Sequence, residues 1–96
     1  MKFILFYNGP ETSADASHKG WPSWFSNLGK ALVDLGAPLS KGVTVHDDGA
    51  TEASKTRYNG YSIIEAKDLD KALELIKDHP YLALGKEYTI EVFKKG

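Results

Sequence analysis

Histidine is the side chain that ordinarily changes charge near neutral pH, and this sequence has three, His18, His46 and His79. His46 closes the alternating run Gly42-Val43-Thr44-Val45-His46, on one face with Thr44 and opposite Val43 and Val45. If the valines pack under helices, His46 reaches the other face of the sheet as a general acid or base. Otherwise it is an exposed imidazole leading into a solvated Asp47-Asp48 turn. His79 stands between Asp78 and Pro80 at the expected end of a helix. There it is either a cation that complements the helix dipole or a catalytic or ligand-binding group. His18 lies beside Lys19 in a polar segment and reads as exposed. The three histidines show no metal-ligand spacing, and His46-Asp47-Asp48 would put neighbours on opposite faces of a strand, so no metal centre is expected.

Aromatic residues make up the other chemical group. Trp21 and Trp24 fall on one stripe of a predicted helix, where they either pack in the core or line a pocket near residues 11–20. Tyr7, Tyr61 and Tyr88 could add phenols to such a pocket. Lys55 and Arg57, close to Glu52, read as a solvated basic pair.

These residues need elements to hold them. The 96 residues suffice for one domain, taken as 1–96. A net charge of −1 gives no basic field, which argues against nucleic acid as a partner. The chain has no cysteine, which excludes disulfides and thiolate chemistry. The apolar run Phe3–Tyr7 is too short to span a membrane and lacks a signal-type cleavage site, so a cytoplasmic protein is expected. No glycine-rich phosphate loop or nucleophile elbow occurs, and no cofactor is expected.

Phe3–Tyr7 is a strand apolar on both faces, stopped by Asn8-Gly9-Pro10. Pro22 suits the first position of a helix whose stripe reads Trp21, Trp24, Phe25, Leu28, Leu32 and Leu35, with Gly36 as its stop. Gly42–His46 is a half-buried strand, and 47–59 is a loop or irregular hairpin. Tyr61–Ala66 is again apolar on both faces. Asp68 caps a second helix that buries Leu69, Ala72, Leu73 and Ile76 and ends by His79, since Pro80 disfavours helical backbone there. Tyr81–Gly85 is a short turn, and Tyr88–Phe93 is the last strand. The order β-α-β-β-α-β is the split βαβ, ferredoxin-like α+β arrangement. It makes a four-stranded antiparallel sheet with both helices on one face and strands one and three central. The uncovered apolar face predicts a homodimer packed sheet on sheet.

The stretch Gly60-Tyr61-Ser62-Ile63-Ile64-Glu65-Ala66-Lys67-Asp68-Leu69-Asp70-Lys71-Ala72 resembles the strand–helix junction of the YCII-related (DGPF-type) family. Pro80-x-Leu82-x-x-Gly85 and Ile90-Glu91-Val92 resemble its C-terminal end, and Trp21-x-x-Trp24 resembles the paired tryptophans of one branch. The resemblance is strongest over 60–93. It implies a dimeric α/β barrel of ferredoxin-like subunits. In some members it implies an enzyme with a His-Asp pair in a cleft beside the sheet. The positions of that pair hold Trp24 and His79 here, and the Asp-Gly-Pro-Phe motif is absent.

The reading that follows is a dimer that binds or transforms a small molecule by cofactor-free acid/base chemistry. Its cleft would lie between the first helix, residues 11–20 and the sheet. His79 and His46 are the candidate catalytic residues, with Trp24, Trp21 and Tyr7 as candidate binding residues. The rival reading is a non-catalytic regulatory or scaffolding dimer that binds another protein.

Overall fold

The computed structural model describes residues 1–10 and 20–96. Its elements are β1 (Lys2–Asn8), α1 (Trp21–Leu28), β2 (Leu32–Pro38), β3 (Val43–Val45), β4 (Thr51–Ala53), β5 (Tyr58–Glu65), α2 (Leu69–Ile76) and β6 (Thr89–Lys95). Short 3-10 turns cover Gly29–Ala31 and Pro80–Leu84. The main sheet has the order β2-β5-β1-β6 with every pairing antiparallel. The two strands read as apolar on both faces, β1 and β5, are the central pair. The fold is the expected α+β, ferredoxin-like one.

Alternation along β1 sorts the faces. Phe3, Leu5 and Tyr7 are buried, and the register sets them against Ile64, Ser62 and Gly60 of β5. These residues share one core with Trp24 and Leu28 of α1 and Ala72 and Ile76 of α2, so both helices cover the same side. Ile4, Phe6 and Ile63 point to the opposite side, together with Phe93 of β6.

Several expectations need correction. The first helix stops at Leu28, because Gly29 takes a positive φ of 53° and breaks the helical run. Leu32 and Leu35 then belong to β2, not to the helical stripe. Gly36, expected as a helix stop, is instead a left-handed residue (φ 81°) where the β2–β5 register shifts, and the Asp34 carboxylate accepts its N–H at 2.8 Å.

The second strand of the main sheet is therefore β2. Gly42–His46 contributes β3 of a separate two-stranded hairpin with β4, and Val43 and Val45 are 61% and 69% exposed there. On α2, Ala72 and Ile76 are buried, but Leu69 and Leu73 stay about half exposed. Ala72 and Ile76 lie on the inward line of α2, and Leu69 and Leu73 on its exposed flank.

The other boundaries follow local chemistry. Asp68 caps α2 by accepting the Lys71 N–H at 2.9 Å. His79 has extended backbone (φ −62°, ψ 131°), as Pro80 requires of its predecessor. No helix among the described residues is long and apolar enough to cross a membrane.

Candidate active site: a buried hydrogen-bond chain under an aromatic cleft

Tyr7 lies at the end of β1 on the helix side, opposite Gly60 of β5. A methyl group at that glycine would press on the Ala37 carbonyl of β2 at 3.1 Å and sit in ordinary contact with the Tyr7 ring at 3.5 Å. The phenol reaches Ser62 one pleat further along β5, and its O–H donates to Ser62 Oγ at 2.7 Å. Ser62 Oγ donates to the Leu35 carbonyl on β2 at 2.8 Å. On its other side, Tyr7 Oη is 3.1 Å from His79 Nε2.

His79 comes from the α2–β6 connection. Its extended backbone makes it the N-cap of the 3-10 turn, and its Nδ1 accepts the Tyr81 N–H at 3.0 Å. An Nδ1 that accepts leaves the ring proton on Nε2. The proton order is then fixed along the chain. Tyr81 N–H donates to Nδ1, His79 Nε2–H to Tyr7, Tyr7 O–H to Ser62 and Ser62 O–H to Leu35 C=O.

Every side chain in this series is buried and uncharged. His79 is 2% exposed, and burial pushes its imidazole down to about 3. Burial likewise pushes the Tyr7 phenol up to about 12, with the Ser62 hydrogen bond pulling weakly the other way. Of the two readings of His79, the cationic helix cap does not hold: the imidazole is buried and caps the next turn.

Aromatic rings clamp that imidazole. Ring centroids lie 4.0 Å away for Trp24, 4.7 Å for Trp21 and 5.0 Å for Tyr7. Trp24 is tied to α2 by its indole N–H, which donates to the Leu75 carbonyl at 3.2 Å. Four of the five candidate residues therefore converge: Tyr7, Trp21, Trp24 and His79. His46 does not join them. It sits at the tip of the β3–β4 hairpin, about half exposed, with Nε2 3.6 Å from Glu52 Oε2. His18 and the expected contribution of segment 11–20 lie outside the described residues.

Above the chain is a cleft of ≈ 450 Å³. Trp21, Pro22 and Phe25 of α1 line one side and Leu35–Pro38 of β2 the other, with Asn59–Tyr61 and Tyr7 between them. Asn59 is fixed by its amide, which donates to the Gly9 and Pro10 carbonyls and to the Tyr81 hydroxyl, the last at 2.9 Å.

Sequence reasoning missed Ser62, Asn59 and Phe25 as parts of the site. Ser62 carried a usable signal, as a hydroxyl on the same side of its strand as Ile64, hence in need of a buried partner.

Among solved structures, the chain is similar to 5-chloro-2-hydroxyhydroquinone dehydrochlorinase (TftG) from Burkholderia phenoliruptrix AC1100, determined in complex with 2,5-dihydroxybenzoquinone. The TM-score is 0.59 at 19% identity, over 100% of this chain and 96% of that one, which is a likeness of fold. No curated protein matches the chain. The sequence model of the YCII-related domain matches residues 1–94, so this chain belongs to the YCII-related family.

Proposed function

We propose that this protein binds a small organic molecule in the cleft between α1 and β2 and transforms it without a cofactor, with Tyr7 linking the ligand to the buried chain. The observation that carries the proposal is a cleft of ≈ 450 Å³ whose lining includes Tyr7, a phenol held between His79 and Ser62. That volume is in the range of small-molecule sites.

The proton order decides the chemistry. A neutral His79 with its proton on Nε2 is a donor and not a base. It holds the Tyr7 oxygen in place, and Tyr7 would turn its one O–H from Ser62 Oγ to a ligand oxygen that gains negative charge. Trp21 and Trp24 keep the imidazole in place from two sides.

The test is amide-detected NMR on the full chain, titrated with phenols, hydroquinones and 2-naphthol. The dehydrochlorinase that shares the fold guides this choice of rings. Binding should move the amides of Leu35–Ala37 and Asn59–Tyr61. Turnover of any bound compound should fall about tenfold or more in Tyr7→Phe while its binding persists. If no ring compound moves these amides at millimolar concentration, the proposal fails.

A second part concerns assembly. Phe6, Phe93 and Tyr58 cluster on the sheet face away from the helices, with Phe93 half exposed. We propose that two copies pair through this face, since a symmetric sheet-on-sheet contact would bury it. The same face supports the rival reading, a non-catalytic module that binds another protein, should no ligand occupy the cleft.

A further inference from the structure

We infer that the cleft selects uncharged, flat aromatic molecules over ionic molecules of the same shape. The inference rests on the small-molecule site proposed above and names its ligand class.

The first argument is shape. α1 offers an aromatic wall, Trp21 and Phe25, whose rings meet edge to face at 5.9 Å. The facing wall is the backbone of β2 at Leu35–Pro38, where Gly36 and Ala37 carry almost no side chain. An aromatic wall facing a strand backbone makes a slot, and a planar ring fills it with the least lost contact.

The second argument is charge. Among the described residues, the lining holds no Asp, Glu, Lys, Arg or His. Of the charged residues next to it in sequence, Asp34 turns a carboxylate oxygen onto the Gly36 N–H. Below the lining, the Tyr81–His79–Tyr7–Ser62 chain is neutral throughout and ends on a backbone carbonyl. An ionic ligand would shed water and meet no counter-charge among the described lining residues, a cost that an uncharged ring avoids. The aromatic wall offers a cation some compensation through its ring faces, but the backbone wall opposite supplies no carboxylate.

The third argument is polarity. The Asn59 amide is held at the cleft's edge by three hydrogen bonds from its nitrogen, so its orientation is set. With its N–H groups so used, the amide has only its carbonyl oxygen to offer, an acceptor for one hydroxyl or carboxamide N–H on the ring.

The experiment uses three probes of one shape at pH 7, 2-naphthamide, 2-naphthoate and protonated 2-naphthylmethylamine. Each is titrated into the full chain while the amides of Leu35–Ala37 and Asn59–Tyr61 are followed by NMR. The naphthamide should bind at least about tenfold more tightly than either ion, the preference expected when an unpaired charge must be buried. If naphthoate or the ammonium compound binds as well as the amide and moves the same amides, the charge selection is wrong while the cleft remains a binding site. If none of the three moves them, the cleft is not a binding site and both readings fall.

Discussion

Tyr7 and His79 are separated by seventy-two positions in the chain, yet Tyr7 Oη lies 3.1 Å from His79 Nε2 with the ring centroids 5.0 Å apart. The contact joins a central strand to the connection after the second helix, and both partners are buried. It therefore holds together two parts of the fold that share no regular hydrogen-bond ladder.

The burial of both groups makes stability depend on pH in a defined direction. Folding holds His79 at about 3, against an ordinary 6.5 in the unfolded chain. As pH falls, the unfolded chain takes up the proton first. Stability is therefore whole above about pH 6.5 and declines between 6.5 and 3, by about 1.5 kcal/mol between 6.5 and 5. Tyr7 acts at the other end. Its phenol is raised from 10 to about 12, so the stability it confers is intact below pH 10 and lost between 10 and 12. Urea midpoints at pH 8, 6.5 and 5 check the acid limb. In His79→Phe the decline between 6.5 and 5 should shrink by that amount, and equal slopes in both proteins would contradict a buried neutral imidazole.

The chain from His79 through Tyr7 to Ser62 should behave as a unit. Tyr7→Phe strands the His79 N–H and removes the donor to Ser62. Ser62→Ala strands the Tyr7 hydroxyl and the Leu35 carbonyl. Each change should cost about 1–3 kcal/mol, the penalty of a buried group left unsatisfied. Because the two residues share one hydrogen bond, the double variant should cost less than the sum by at least about 0.5 kcal/mol. Additive losses in a denaturation cycle would mean that the hydrogen bonds act as independent pairs.

The fold was legible where period and face agreed. Phe3–Tyr7 is apolar on both faces and so calls for cover on both, and the β-α-β-β-α-β order puts that strand in the centre of the sheet, where β1 lies. Asp68 and Pro80 marked the second helix and the turn after it through local rules of capping and backbone restriction. The first helix is shorter than expected because Leu28, Leu32 and Leu35 also satisfy helical spacing, while Gly29 inside that run ends the helix. The longer expected helix displaced the second strand and carried His46 with it. Of the site, Tyr7, Trp21, Trp24 and His79 were visible as residue types. The bonds that order them were not, since Tyr7–Ser62 and Tyr7–His79 join residues 55 and 72 positions apart. No local pattern encodes such pairings.

Gly36 gives a sharper test of the β2 wall. Gly36 and Gly49 both have positive φ, 81° and 88°. A methyl group at Gly49 would meet nothing within 4 Å, whereas at Gly36 it would run into the Tyr61 carbonyl. Gly49→Ala should therefore cost only the backbone penalty, about 1 kcal/mol. Gly36→Ala should cost at least about 2 kcal/mol more, because β2 must move off β5 to admit the methyl. Thermal melts of the two variants make the comparison. Equal losses would show that β2 is loosely held and that the cleft wall is not fixed by this close approach.

The open sheet face carries the last prediction. Phe6 stacks on Tyr58 with centroids 4.9 Å apart, Phe93 meets Phe6 edge-on at 6.0 Å, and the Tyr58 hydroxyl donates to Glu91 at 2.8 Å. Within one copy this cluster is only partly covered, since Phe93 keeps 50% of its surface exposed. A lysine at position 93 would therefore be tolerated by the isolated subunit at a cost of about 0.5–1 kcal/mol. In a symmetric pairing every substitution occurs twice, so Phe93→Lys would bring two ammonium groups into one apolar contact without counter-charges. Light scattering at tens of micromolar should give the wild-type chain about twice its 10.6 kDa mass and the Phe93→Lys variant the single-chain mass. The wild-type melting temperature should rise with protein concentration, and that of the variant should not. A wild-type chain that stays at the single-chain mass up to millimolar concentration would mean that the face stays open, and a Phe93→Lys variant that still doubles would move the contact elsewhere on the molecule.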